Sequence, residues 1–187
     1  MQLAAEVDKL AAELHASRAR VADLEARVDI DPLTDVLNRR GFERELVRSL
    51  AYVKRYRTSA ALLFIDLDDF KPVNDRHGHA AGDAVLKAIA AVLLRHVRAS
   101  DVVARLGGDE FAVLLWNVSE AEAAVKAAAL EAAIFATPVG WGASTFVVAA
   151  SAGMAALWPL DTPAAVLERA DMAMYARKAD HKARLTG

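Results

Sequence analysis

Acidic side chains gather at two places in this sequence. Phe64-Ile65-Asp66-Leu67-Asp68-Asp69-Phe70-Lys71 closes an apolar run, and Arg105-Leu106-Gly107-Gly108-Asp109-Glu110-Phe111 lies between two short apolar stretches. Asp66, Asp109 and Glu110, brought together from a strand end and a hairpin, would make a hard, oxygen-only site. Magnesium takes such sites, using few protein ligands and leaving the rest of its shell to phosphate oxygens. Gly107 and Gly108 leave room for a phosphate chain to approach the backbone. Lys178 and Lys182, close to the C-terminal end, offer positive charge to the same phosphates. Each feature alone has an ordinary reading: acids at strand ends are usually solvated, a Gly-Gly pair is usually only a turn, and lysines on a last helix usually face water. Together they point to a magnesium–nucleotide site.

The elements that must position these residues can be read from periodicity. Ala60 to Leu67 is a continuous apolar run ending in acids, as expected of a central strand covered on both faces. Val102–Leu106 and Phe111–Trp116 read as two strands with Gly107 and Gly108 turning between them. Asp31-Pro32 marks a joint, because a residue before proline is pushed out of the helical region. Thr34 or Asp35 is expected to cap a helix running through Arg39 to about Arg57. Further helices are expected over Asp83–Val97 and Glu120–Ala136. A strand is expected over Thr145–Met154, and a last helix capped by Thr162, with Pro163 in its first turn, runs to about Lys178. Alternating strands and helices with one hairpin predict an α/β fold: a mixed sheet flanked by helices, in a ferredoxin-like arrangement.

Residues 1–30 differ in character. Leu3, Val7, Leu10, Leu14, Ser17, Val21, Leu24 and Val28 alternate spacings of four and three, a heptad seam with one polar position. This narrow seam predicts a coiled-coil helix about 45 Å long that needs a partner helix; an amphipathic helix packed on its own domain is the alternative. The expected division is a coil over 1–30 and a globular domain over 31–187.

Composition narrows the function. The 187 residues carry a net charge of −2, which leaves no global basic field for nucleic acid. Cysteine is absent, which excludes disulfides and thiolate chemistry and is compatible with a reducing cytoplasm. The charged, heptad-patterned N-terminus does not read as a signal peptide. Gly142–Trp158 is fairly apolar but short and interrupted by Ser144, Thr145, Ser151 and Gly153, so a buried strand is expected there rather than a membrane span.

Gly107-Gly108-Asp109-Glu110-Phe111 spells the signature of the GGDEF family of diguanylate cyclases, and the resemblance runs from about Asp31 to Leu185. Asp31-Pro32-Leu33-Thr34 with Leu37-Asn38-Arg39-Arg40 is similar to the family's opening segment. Asp66 to Lys71, Asn74-Asp75, Gly78-His79 and Gly82-Asp83 match the next block, and Tyr175 and Lys178 match the closing helix. The resemblance implies an enzyme that condenses two GTP into cyclic di-GMP with magnesium, or manganese in its place. It implies that Asp66, the Leu67 carbonyl and Asp109 hold the metal, with Glu110 in the same cluster, and that Asp109 also serves as the presumed base. Asn74 and Asp83 would recognise guanine, with His79 and Phe70 in the same pocket, while Lys71, Lys178 and Lys182 would contact phosphates.

The same resemblance implies a homodimer, because each domain holds one GTP, and the heptad helix would raise the local concentration of the second copy. Arg98-Ala99-Ser100-Asp101 stands at the spacing of the family's inhibitory product site, where arginine can grip the O6 and N7 edge of guanine; its ordinary reading is a helix-end cation and a turn residue. One departure concerns the closing helix. The family usually shows Lys-x-x-Gly-Arg, and here Lys178-Ala179-Asp180-His181-Lys182 replaces the glycine by His181 and the arginine by Lys182. Lysine meets a phosphate as a point charge without the bidentate fork of arginine. The competing readings are a domain that senses GTP or cyclic di-GMP without turnover, and a coiled-coil interaction protein with a merely structural globular part.

Overall fold

The computed structural model describes residues 29–186, so the heptad seam at positions 3–28 lies outside the described residues. The domain is built on a five-stranded sheet: β1 Leu37–Asn38, β2 Ala60–Asp68, β3 Val102–Gly107, β4 Glu110–Trp116 and β7 Ala149–Ala156, in the order β1-β3-β4-β2-β7. β2 runs antiparallel to both β4 and β7, and only β1 pairs in parallel, with β3. Without β1, this is the strand order of a ferredoxin-like β-α-β-β-α-β unit. The remaining strands, β5 Val139–Trp141 and β6 Ser144–Phe146, form a separate hairpin.

Alternation along β2 decides what each face carries. Ala61, Leu63, Ile65 and Leu67 point into one core, which is closed by α3 His79–His96 and α4 Glu120–Phe135. Leu62 and Phe64 point into the other, closed by α1 Arg39–Tyr56 and α5 Pro163–Thr186. Asp66 and Asp68 continue the second row, so the strand pattern itself aims both carboxylates at the α5 side. α5 can lie close to β7 because Gly153 has no side chain: an added methyl would overlap the Met174 amide nitrogen and the Ala170 carbonyl. The outer edge of β7 is covered rather than left open. Glu131 of α4 accepts from the Ala152 N–H at 2.9 Å and is held by Arg177 of α5 through Nε and Nη2 at 3.0 and 2.6 Å.

Several boundaries differ from the sequence expectation. Asn38, not Thr34 or Asp35, caps α1, accepting from the Gly41 N–H at 3.0 Å. Thr34 is instead tied to the Asp31 carboxylate by its N–H and hydroxyl, which uses its capping oxygen in the preceding turn. β3 runs on through Gly107, so the hairpin turn falls on Gly108 and Asp109; Gly108 takes φ 47°, which glycine adopts without strain. The expected strand over Thr145–Met154 is two strands, β6 and β7, separated by Val147 and Val148. A short helix, α2 Lys71–His77, precedes α3, and α5 continues eight residues past Lys178 to Thr186. Thr162 does cap α5, accepting from the Ala165 N–H at 3.3 Å. Gly142–Trp158 contains β7 as a buried strand, and among the described residues no helix is long and apolar enough to cross a membrane.

Candidate active site

The acids meet where β2 leaves the sheet. Asp66 stands opposite Glu110 of β4 on one side and Ser151 of β7 on the other. The β3–β4 turn brings Asp109 alongside, and the Leu67 N–H donates to the Asp109 carbonyl at 3.3 Å. Asp69 then takes a left-handed conformation, φ 52°, which swings the chain off the strand and into α2. Lys178, arriving from α5, places its ammonium against Asp66 and 3.9 Å from Asp68.

The electrostatics follow from this crowding. The Asp109 pKa is raised, chiefly by burial and further by the charge of Asp66, against the pull of Lys178 and Arg105. Glu110 is raised as well, first by burial and then by Asp66 and Asp109, with Arg39 working in the opposite direction. Burial works against charge on Lys178, but the hydrogen bond to Asp66 and the charges of Asp66, Asp68 and Asp109 outweigh it and raise its pKa. The cluster is therefore a region of negative potential that already holds one cationic group.

The hairpin is braced from behind. Arg105 donates to the Gly108 carbonyl through Nε and Nη2 at 3.0 and 2.8 Å, and its Nη1 bonds Asp31 at 3.3 Å. The Asp31 pKa is lowered: burial opposes this, but the bonds from Thr34 and the charge of Arg105 prevail. Arg39 donates from Nε to the Leu106 carbonyl at 2.9 Å and sets Nη2 3.5 Å from Glu110. Periodicity gave no signal for either brace, although Asp31 and Arg39 both sit in the segment resembling the family opening.

A second group forms between α2 and α3. The chain passes from one helix to the other at Gly78, which has φ 82°. Asn74 of α2 lies directly over Gly82 of α3, and a methyl added at Gly82 would overlap the Asn74 amide and come within 3.0 Å of Phe70 Cζ. Phe70 is buried, whereas Asp83, His79 and Lys71 are exposed. Among the remaining candidates, Lys182 lines one cavity with Asp66, Tyr175 and Lys178 and another with Asp68, Asp69 and His181. Arg98 and Asp101 stand apart, beyond the end of α3. Asp101 accepts from the backbone N–H groups of Arg98 and Trp116 at 2.9 and 3.1 Å, so its carboxylate shapes the turn.

Residues 28–184 match the family described as diguanylate cyclase, GGDEF domain. The chain belongs to the GGDEF family. It is 44% identical over 184 residues to diguanylate cyclase TpbB of Pseudomonas aeruginosa, covering 95% of this chain and 42% of that protein. It is 40% identical over 171 residues to the probable diguanylate cyclase DgcE of Escherichia coli, covering 91% of this chain and 16% of that protein. The chain thus spans less than half the length of these relatives. Among solved structures, the coiled coil and GGDEF domain of DgcB from Caulobacter crescentus in complex with c-di-GMP superposes with a TM-score of 0.82 at 28% identity, over 96% of both chains. A fragment of TpbB comprising only the GGDEF domain superposes with a TM-score of 0.75 at 46% identity, over 81% of this chain and 89% of that one.

The donor set suits magnesium. Among the described residues no three acids or histidines converge into a ready metal cage. Asp66 and Asp109 instead form an open, oxygen-only pair in a field that draws in an ammonium group. Magnesium bound with a nucleotide uses one or two carboxylates and phosphate oxygens, not a closed protein cage.

Proposed function

We propose that this GGDEF domain is a diguanylate cyclase, joining two GTP into cyclic di-GMP with release of two pyrophosphates. The observation that carries the reading is the meeting of Asp66, Asp109 and Glu110 at the sheet end, with Lys178 held against Asp66. Asp66, Asp109 and the Leu67 carbonyl are the groups to hold magnesium, or manganese in its place, with Glu110 supporting the cluster. When bound there, the metal supplies neutralisation of triphosphate charge and acidification of the attacking hydroxyl.

The rest is done by side chains. Asn74 and Asp83 offer acceptors to the ring N–H and exocyclic amine of guanine, with Phe70 and His79 around them. Lys71, Lys178 and Lys182 hold the triphosphate, and Lys178 must exchange Asp66 for phosphate as the nucleotide enters. The 3′-hydroxyl of one GTP attacks the α-phosphorus of the other, and Asp109 is the acceptor for the hydroxyl proton. Positioning the two nucleotides contributes much of the acceleration.

Two sites must face each other, so the active species is a homodimer, with residues 1–30 as the coil that pairs two copies and 31–187 as the catalytic domain. The DgcB structure, which contains both a coiled coil and a GGDEF domain, supports that division. Arg98 and Asp101 are the inhibitory product site, and a cytoplasmic location belongs to the same reading; neither nucleic acid nor a membrane segment of this chain takes part. The test is cyclic di-GMP formation from GTP and magnesium over a protein dilution series. A rate that rises faster than protein concentration supports a cyclase assembled from two copies, and a linear rate means that the dimer persists at the lowest concentration. GTP or cyclic di-GMP binding without product would make the domain a sensor.

A further inference from the structure

Beyond the acid cluster, one more contact ties α5 to the sheet end. His181 lies one turn after Lys178, on the same helix face. Its Nδ1 is 3.1 Å from Ser151 Oγ on β7 and 3.5 Å from Asp68 Oδ2 on β2. Ser151 is fully buried, and its hydroxyl donates to both oxygens of Asp68, at 2.9 and 3.1 Å. A serine hydroxyl has one hydrogen, and here the carboxylate takes it. The contact between Ser151 Oγ and His181 therefore carries its hydrogen on Nδ1, which fixes which ring nitrogen is the donor.

We propose that His181 is a positioning residue that clasps α5 to Ser151 and Asp68 and so fixes the helix turn from which Lys178 and Lys182 reach the triphosphate. The inference rests on the reading of those lysines as phosphate contacts. Lys178 is seated on Asp66 and must leave it when nucleotide binds; the clasp lies on the neighbouring carboxylate, so the helix keeps its place while the lysine changes partner. Glycine, the usual residue here in the family pattern, has no side chain that could reach either group. With Lys182 in the position of the usual arginine, and so without a bidentate fork, a fixed approach matters more for this chain.

The experiment compares the full chain with His181→Ala, His181→Asn and His181→Gln. The amide nitrogen of asparagine can stand in for Nδ1, whereas that of glutamine reaches toward the Nε2 position. Loss of one net hydrogen bond predicts that His181→Ala raises the KM for GTP, and the calorimetric Kd for GTP with magnesium, about fivefold, with kcat little changed. His181→Asn is expected to return within about twofold of the parent, and His181→Gln to resemble alanine. A role in helix stability alone would rank the variants the other way, because alanine is the better helix former. Nitrogen NMR of the parent imidazole is expected to show the hydrogen on Nδ1. Equal Kd values in all variants, or an Nδ1 without hydrogen, would overturn the clasp while leaving the cyclase reading intact. GTP binding without turnover would remove the cyclase reading, and the Kd series would still decide the clasp; no GTP binding by the parent would remove both.

Discussion

Gly82 separates what the fold needs from what the proposed nucleotide pocket needs. In Gly82→Ala the new methyl meets the Asn74 amide and Phe70 Cζ, not backbone. An asparagine side chain can rotate away at the expense of its own placement, whereas the helix gains about 1 kcal/mol from replacing an interior glycine by alanine. Overpacking costs about 1–3 kcal/mol where nothing yields. With Asn74 yielding, the two effects leave stability within about 1 kcal/mol of the parent, a shift of roughly 2–4 °C in Tm for a domain of this size. Substrate recognition has no such compensation. On the proposed reading, Asn74 turned from guanine forfeits a hydrogen bond and leaves a polar group unpaired, together about 1.4 kcal/mol or more, so a tenfold or larger rise in the KM for GTP is expected. The assay pairs a thermal melt with initial rates of cyclic di-GMP formation over a GTP series. A large fall in Tm would show that Asn74 cannot move. An unchanged KM with an unchanged Tm would show that Asn74 does not read the base.

Three further outcomes follow from the same geometry. Gly153→Ala puts a methyl against the α5 backbone, which cannot rotate away, so urea denaturation is expected to show a loss at or above the upper end of about 1–3 kcal/mol. Asp109→Asn removes a carboxylate whose pKa is raised by burial and by Asp66. A raised folded value means that ionisation opposes folding at neutral pH, so the variant is expected to melt no lower, and in metal-free buffer higher, while synthesis is lost; a marked fall in Tm would contradict this. Asp161 accepts from Arg169 at 2.7 and 3.0 Å and from the Trp158 N–H at 2.8 Å, and these bonds, Arg169 first, lower its pKa. Its stabilisation is complete above the ordinary aspartate value and is lost as pH falls through the lower folded value. The stability difference between the parent and Asp161→Asn is therefore expected to shrink across that acid window and to be constant above it.

The legible parts of this sequence are those where the signal is local. The apolar run over Ala60–Leu67 announces a strand covered on both faces, and the glycine–acid stretch announces a hairpin. The alanine-rich stretch placed α4 to within a residue at both ends, whereas α1 was placed to within a residue only at its C-terminal end, because Asn38 and not Thr34 or Asp35 caps its start. β1 escapes because two residues have no period, and α2 because it buries no residue of its own. The β5–β6 hairpin was hidden by the apolar character of the segment that also contains β7. Within the site, the acids and lysines carry the family signature, but their meeting is long-range: Lys178 and Asp66 are 112 positions apart, and Ser151 and Asp68 are 83. No pattern along the chain marks Ser151 as the partner of both Asp68 and His181, or Glu131 as the group that covers β7 and binds Arg177. Those contacts follow only from the strand order and from the alternation that turns Asp66, Asp68 and Ser151 to one face.

On the proposed function, Asp66 and Asp109 serve a metal-bound triphosphate and not merely a structural ion pair with Lys178. The most direct measurement follows GTP labelled at the α-phosphate, incubated with magnesium and either the parent or Asp109→Asn, and separates the products by chromatography. Label is expected in cyclic di-GMP with the parent and not with the variant, at equal or higher Tm for the variant. Label in cyclic di-GMP from both proteins, or from neither while GTP is bound, would contradict that function.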